Sequence, residues 1–339
     1  MTRLNISDLL DEDYDPSASP RGKQIATVHL HRAHRERYND HAVVDDILAH
    51  ADEPAAVTAS AFTPTFGSSR YERIWILNYL GPFYDKGEIA DVLRKVKGGK
   101  EANVYCCSGG PKATLDLIAA KVYRPRQFRN LRNDALYRLG REIMGPRGEP
   151  VRDRRALHAI QMGTRKGKEM QHVSWLAHEY ATLQLLHAAG VRVPKPVAFA
   201  NNTILMEYVG EMTRPAPTLQ SVKLTRSEAA GLFDRLMADV ERMLVSGRVH
   251  ADLSAFNVLY WGGDYRIIDF PQTVDPAVHP SAFPLFERDV TRLCQYFARC
   301  GIAADPKALA DEMWARVGPA GPPTGLQAWL PAEEETAMM

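Results

Sequence analysis

The chain has 339 residues, 45% of them hydrophobic and 24% charged, with 42 Lys+Arg against 41 Asp+Glu for a net charge of +1. That composition excludes a wholly disordered chain, a collagen-like one and a coiled coil, and the length allows two domains or one bilobal unit. No run of 18 apolar residues occurs, so no membrane span is expected.

The acidic stretch from Met1 to Asp15 lacks the layout of a secretory signal. Four cysteines, the adjacent Cys106 and Cys107 and the distant Cys294 and Cys300, fit neither a disulfide scaffold nor a zinc site. A cytoplasmic location is the expectation.

The near-zero charge is a sum of opposed regions. Residues 1–60 hold 6 Lys+Arg, 11 Asp+Glu and five of the 11 His. They read as a flexible arm with one short helix at 42–51. His29, His31 and His34 match no closed metal-ligand spacing. Residues 124–168 are the reverse, with 11 Arg and 2 Lys against four acidic residues, a local net of +9. Such an excess is either a solvated insertion or a surface for an anionic partner, RNA first among them.

In chain order, 71–80 reads as a helix and 86–96 as a helix or a helix leading into a strand. Residues 102–107 and 115–123 read as strands around the turn Ser108-Gly109-Gly110-Pro111. Part of 131–143 has helical character. Apolar residues at helical spacing predict a helix over 173–189, stopped at Gly190. Short strands follow at 197–199 and 203–208, and a long amphipathic helix covers 225–246, closed by Gly247. Residues 258–261 and 265–268 form a hairpin around Gly262-Gly263, and helices occupy 282–299 and 306–317. Strands dominate the first half and helices the second, an order that suggests two lobes with a ligand cleft between them.

Three features carry chemistry. His250-Ala251-Asp252-Leu253-Ser254-Ala255-Phe256-Asn257 has the form H-x-D-x-x-x-x-N, and Asp269 follows twelve residues later across the hairpin. An Asp at an acceptor hydroxyl can orient it and take its proton, while Asn257 and Asp269 can hold Mg²⁺ against nucleotide phosphates. Gly98-Gly99-Lys100-Glu101-Ala102-Asn103-Val104 is a glycine turn entering a strand, whose N–H groups can approach phosphates. It is no Walker A loop, since no G-K-[ST] opens a helix. Lys121 lies in an apolar strand, where an amine is costly unless paired. It either snorkels at a sheet edge or pairs with Glu179 on the next helix, the kinase arrangement.

The chain resembles the RIO family of atypical serine/threonine protein kinases. The resemblance rests on G-K-E-A-N-V-Y (99–105), A-x-K-V-Y (119–123), W-x-x-x-E (175–179), I-L-M-E-Y-V-G (204–210), R-P-A-P-x-L (214–219), V-H-A-D-L-S-A-F-N (249–257) and I-I-D-F-P-Q (267–272), in family order. The first and the H-A-D-L-S motif are similar to the first RIO subgroup, D-F-P-Q to the second, and the mixture is that of a divergent, bacterial-type member.

The resemblance implies a bilobal, protein-kinase-like α+β fold. It has an arm at 1–66 and an N-lobe at 67–206, a small antiparallel sheet with one helix and a flexible insertion at 124–172. A mainly helical C-lobe at 207–318 lacks the usual activation segment, and a tail covers 319–339. It also implies roles. Gly98, Gly99, Lys100, Glu101, Ala102, Asn103 and Val104 cradle ATP phosphates. Lys121 contacts them and Glu179 positions Lys121. Met206 backs the adenine pocket, and Glu207, Tyr208 and Val209 form the hinge. Asp252 is catalytic; Asn257 and Asp269 bind Mg²⁺, for which Mn²⁺ can substitute, and Asp269 can take a phosphate as an aspartyl-phosphate.

The implied activity is ATP-dependent phosphorylation of a protein or of the chain itself. One alternative is an ATPase-driven assembly factor that binds ribosomal RNA or pre-ribosomal particles through 124–168. Another is a small-molecule phosphotransferase, against which G-K-E-A-N-V-Y and R-P-A-P-x-L speak. Ala255 replaces a Glu common in the family, a departure that touches substrate contact rather than the metal site.

Overall fold

The structure, a computed structural model, describes residues 62–99, 101–123, 141, 143–145, 149–200 and 202–319. The expected arm up to residue 61, the helix at 42–51, most of that at 131–143, Lys100 and the tail from 320 onward lie outside the described residues.

A five-stranded antiparallel sheet is built from β1 (Ile89–Gly98), β2 (Ala102–Gly109), β3 (Leu117–Tyr123), β4 (Pro196–Ala200) and β5 (Thr203–Glu207), in the spatial order β1-β2-β3-β5-β4. Helix α1 (Arg70–Asp85) precedes it, started by the Ser69 side chain on the Glu72 N–H. Side chains along a strand alternate between faces. In β3, Ile118, Ala120 and Val122 therefore pack with Trp75, Ile76, Leu80 and Phe83 of α1, while Lys121 and Tyr123 face the other way.

The stretch at 86–96 is strand β1, not the start of a helix. Its pairing with β2 slips three times, between Ile89 and Asp91, Val92 and Arg94, and Lys95 and Lys97. Each extra residue breaks the period of two, so Ile89, Val92, Leu93 and Val96 recur at a spacing that imitates a helix.

Two helices follow the basic segment: α2 (Arg154–Gln161) and α3 (Arg165–Ala188). The α3 helix begins eight residues before the expected start at 173. Its first two turns, Arg-Lys-Gly-Lys-Glu-Met-Gln-His, are too polar to show an apolar period. Thr164 caps it by accepting from the Gly167 N–H at 3.1 Å. Gly167 lies where α3 meets α2, and a Cβ there would come within 2.0 Å of the Ala159 carbonyl oxygen. The start of α3 thus carries a glycine at the crossing, and the expected insertion at 124–172 is helical over most of its last third.

The helical part contains α4 (Arg226–Val245), α5 (Ala282–Arg299) and α6 (Pro306–Val317). Thr225 and Glu228 form a reciprocal capping box at α4, and Asp305 with Pro306 starts α6. Two small hairpins accompany them: β6 (Gly210–Glu211) with β7 (Arg214–Pro215) before α4, and β8 (Val258–Trp261) with β9 (Asp264–Ile267) between α4 and α5. Leu232, Leu236 and Val240 of α4, Leu285, Val290 and Phe297 of α5, and Val258 and Ile267 of the second hairpin share one core with Trp175, Leu176 and Leu183 of α3. Each such side chain contributes about 1.5–3 kcal/mol by leaving water.

Within that core sits one fully buried carboxylate. Asp239 of α4 accepts from Tyr265 Oη at 2.6 Å, Arg192 Nη1 at 3.1 Å and Arg242 Nη1 at 2.5 Å. It ties α4 to the loop before β4 and to β9. Asp239→Ala leaves the buried Tyr265 hydroxyl without its acceptor and two partly exposed guanidiniums without this carboxylate, and should lower unfolding free energy by about 1–3 kcal/mol in urea denaturation.

Candidate active site

A cavity of about 290 Å³ opens between the sheet and the second hairpin. Its lining includes Gly99, Glu101, Ala102, Val104, Lys121, Glu179, Met206, Glu207, Tyr208, Val209, Asn257 and Asp269. Twelve of the predicted site residues thus meet at one place although they span 171 positions of sequence.

Lys121 is the centre of the arrangement. It stands on β3, the middle strand, so snorkelling at a sheet edge does not describe it. Its Nζ lies 2.8 Å from Glu179 Oε1 and 2.5 Å from Asp269 Oδ1. Burial alone would pull the amine down, but Asp269 and then Glu179 outweigh it and hold the amine well above its ordinary value. For Asp269 burial acts upward, and the Lys121 charge and hydrogen bond overcome it, leaving the carboxyl below its ordinary value. Both groups are therefore charged at neutral pH.

Glu179 has a second partner that the sequence did not signal. Tyr123, two residues beyond Lys121 on the same strand face, donates its hydroxyl to Glu179 Oε2. Burial, followed by the Glu179 charge, pushes this phenol well up, so it remains a donor. Its ring packs edge-on against Trp175 and carries the Lys121 amine 5.0 Å from its centre.

The glycine turn is tight: the Gly99 N–H donates to the Ala102 carbonyl at 3.0 Å. Gly99, Glu101, Ala102 and Val104 face the cavity. Gly98 ends β1 outside the lining, Asn103 turns its amide to Tyr105 Oη at 3.3 Å and is buried, and Lys100 lies outside the described residues.

At the hinge, the Glu207 side chain accepts from the Lys195 N–H at 3.1 Å and from Arg266 at 3.5 Å. Arg94 of β1 donates to Tyr208 Oη and to the Met212 carbonyl at 2.7 Å, tying β1 to the turn of the β6–β7 hairpin. Gly210 in that hairpin has φ +127°, and a Cβ would come within 2.5 Å of the Arg214 carbonyl oxygen.

Asp252 stands at the rim rather than in the lining, its side chain 43% exposed. Asn257 Nδ2 donates to the Asp252 carbonyl at 2.8 Å, which leaves the Asn257 amide oxygen for another partner. Ala251, next to Asp252, and Asp269 have φ of +63° and +74°, values that a side chain makes costly. The surroundings hold them there. Asp289 of α5 accepts from the N–H groups of Ala251 at 2.7 Å and Leu253 at 2.9 Å, and Arg288 donates to the Ala251 carbonyl at 2.5 Å. Burial pushes the Asp289 carboxyl up to about 7, against Arg288 and those two N–H groups.

The segment after Asp269 is pinned from three sides. Val249 and Val274 exchange backbone hydrogen bonds at 2.9 Å. Arg141 donates to the carbonyls of Pro271 at 3.0 Å and Thr273 at 2.6 Å, and His178 Nε2 lies 3.2 Å from the latter.

Among the described residues no cluster of three or more His, Cys, Asp or Glu could hold a metal ion. Asn257 and Asp269 offer a pair of oxygens beside the cavity, the few protein ligands that Mg²⁺ takes when phosphates and water complete its shell. The donor set fits Mg²⁺ with a nucleotide and does not form a self-contained metal cage.

A small antiparallel sheet with a Lys–Glu pair, joined to a helical part carrying H-x-D-x-x-x-x-N and an Asp after a hairpin, defines a protein-kinase-like bilobal fold. The RIO domain model matches residues 150–309, which includes Glu179, Asp252, Asn257 and Asp269. The chain is 32% identical over 216 residues to the RIO-type serine/threonine-protein kinase Rio1 of Haloferax volcanii, covering 63% of this chain and 66% of that one. It is 36% identical over 137 residues to its namesake from Thermoplasma acidophilum, covering 40% and 70%. With the human serine/threonine-protein kinase RIO1 it shares 30% over 220 residues, 64% of this chain and only 35% of that one. The chain thus spans about two thirds of the archaeal relatives and about a third of the human one. In fold it is similar to a Chaetomium thermophilum Rio2 kinase solved as an ADP/Mg²⁺-phosphoaspartate complex, with a TM-score of 0.51 and 21% identity over 84% of this chain and 79% of that one. The chain belongs to the RIO family of protein kinases.

His178 gives the site a pH signature. Burial first, then the nearby Arg141 and Arg248 charges, lowers it from 6.5 to about 3. A depressed histidine contributes stability that is complete above its unfolded value near pH 6.5 and is lost as pH falls toward 3. The slope is at most about 1.4 kcal/mol per pH unit. Thermal or urea unfolding of wild type and His178→Asn, compared from pH 7 to 4, should show the difference in stability shrinking as pH falls.

Proposed function

We propose that the chain transfers the γ-phosphoryl group of ATP, in the presence of Mg²⁺, to a serine or threonine hydroxyl of a protein or of the chain itself. The observation that carries this reading is the Lys121 amine held 2.8 Å from Glu179 and 2.5 Å from Asp269 in the wall of the cavity. Glu179 and Tyr123 fix the amine from behind, and its charge faces the space where phosphates would lie. Gly99, Glu101, Ala102 and Val104 of the glycine turn border the same space. Met206 backs the apolar end of the cavity, and backbone groups of Glu207, Tyr208 and Val209 address the adenine. Asn257 and Asp269 supply oxygens to Mg²⁺, which neutralises the phosphate charge when bound. Asp252, at the rim, orients the acceptor hydroxyl and accepts its proton.

Asp252→Ala should abolish transfer of labelled γ-phosphate, a loss of at least about a hundredfold, while nucleotide affinity measured by calorimetry stays near wild type. Undiminished transfer by that variant contradicts the assignment.

A second reading shares the site and is favoured by the basic segment. Arg152, Arg154 and Arg155 at the start of α2, and Lys166 and Lys168 in the first turn of α3, are exposed and close in sequence. Here ATP hydrolysis, with Asp269 as a transient phosphate acceptor, drives binding and release of ribosomal RNA or a pre-ribosomal particle. Replacing these five residues by Gln should weaken RNA binding and flatten its dependence on salt, since each lost phosphate contact removes about 0.7–0.9 from the slope of log K against log salt. An unchanged slope removes the RNA reading and leaves the kinase reading standing.

A further inference from the structure

The contacts between α5 and the catalytic loop fall into two kinds. Asp289 and Arg288 hold backbone groups of Ala251 and Leu253. Arg292, one turn beyond Arg288 on the same helix face, instead reaches a side chain: its Nη1 lies 3.1 Å from Asp252 Oδ1. The Asp252 carboxylate is otherwise approached at its second oxygen by Asn257 Nδ2, at a long 3.5 Å. Of these two contacts, the one with the Arg292 guanidinium is charged and shorter.

We infer that Arg292 is a positioning residue for phosphoryl transfer, holding the Asp252 carboxylate in the rotamer that presents an oxygen to the acceptor hydroxyl. The inference rests on the kinase reading above and adds a residue to it that the family motifs do not contain. A carboxylate 43% exposed on a rim has several rotamers open to it, and proton acceptance requires one of them. The Arg292 side chain comes from a rigid helix whose neighbouring turn also fixes the loop backbone, so backbone and side chain of the same residue pair are referred to one frame. The pair is partly solvent-exposed at both ends, and exposed ion pairs add little to folding stability. The removal of Arg292 is therefore expected to act on the geometry of Asp252 more than on folding stability.

The test uses the full chain with ATP, Mg²⁺ and either the chain itself or a model protein acceptor. Arg292→Met should lower kcat about ten- to a hundredfold, the scale of a small misplacement of a reacting group. It should leave KM for ATP and the melting temperature near wild type. Arg292→Lys, which keeps a cation on a shorter donor, should recover a large part of the rate. In the residual transfer left by Asp252→Ala, Arg292→Met should cost nothing more, because no side-chain oxygen remains there for the guanidinium to hold. Wild-type kcat in Arg292→Met with Asp252→Ala impaired would overturn this inference alone. A fall in the double variant equal to that in the single one would also overturn it, because Arg292 would then act elsewhere. Full transfer by Asp252→Ala would overturn the kinase reading together with it.

Discussion

An ammonium group on the middle strand of an apolar sheet is tolerated only if charges of opposite sign come to it. Lys121 meets this requirement with two carboxylates, and they come from different parts of the chain: Glu179 from α3 and Asp269 from the end of the second hairpin. Placing both within reach fixes where α3 crosses the sheet and where the helical part meets it. The cavity lies at this junction, with all three charged groups in its lining. Tyr123 completes the set by occupying the second oxygen of Glu179, so that this carboxylate has one oxygen for the amine and one for the phenol.

Backbone strain is concentrated at the same junction. Among the described non-glycine residues, Asn202, Ala251 and Asp269 have positive φ, and two of these three adjoin or form predicted site positions. Such conformations persist when neighbours over-determine them. Around Ala251 that is done by Asp289 and Arg288 of α5; around Asp269 by the Lys121 ion pair and by the contacts on the carbonyls of Pro271 and Thr273. Helix α5 is therefore part of the site although it lines none of the cavity.

The sequence made much of this readable where a local pattern and its physical cause coincide. The ends of α5 and α6 follow from apolar spacing and from Asp305-Pro306, and the second hairpin from its paired glycines, which have φ of +58° and +81°. The Lys121–Glu179 pair was legible because an amine in an apolar strand demands a partner. What was hidden had no local trace. The bulges of β1 disguise a strand as a helix, and the polar first turns of α3 lack an apolar period. Tyr123, Asp289 and Arg292 look like an ordinary strand tyrosine and ordinary helix charges, since their partners lie 56, 38 and 40 residues away. Long-range pairs of single polar groups carry no periodicity, so only the folded chain displays them.

The basic segment is joined to this system rather than appended to it. Arg141 belongs by sequence to the +9 stretch, yet its guanidinium lies on the two carbonyls that follow the Asp269 loop, beside His178 of the Glu179 helix. It is half-buried there, and its charge helps to keep His178 neutral. Its exposed neighbours Arg152, Arg154 and Arg155 make no such internal contact among the hydrogen bonds and ion pairs described. The described arginines Arg141, Arg152, Arg154 and Arg155 of this charge-rich stretch thus divide into a structural member, which braces the loop after Asp269, and exposed members at the surface. Charge counted along the sequence cannot make that division, because a guanidinium on a carbonyl and one in solvent contribute the same +1.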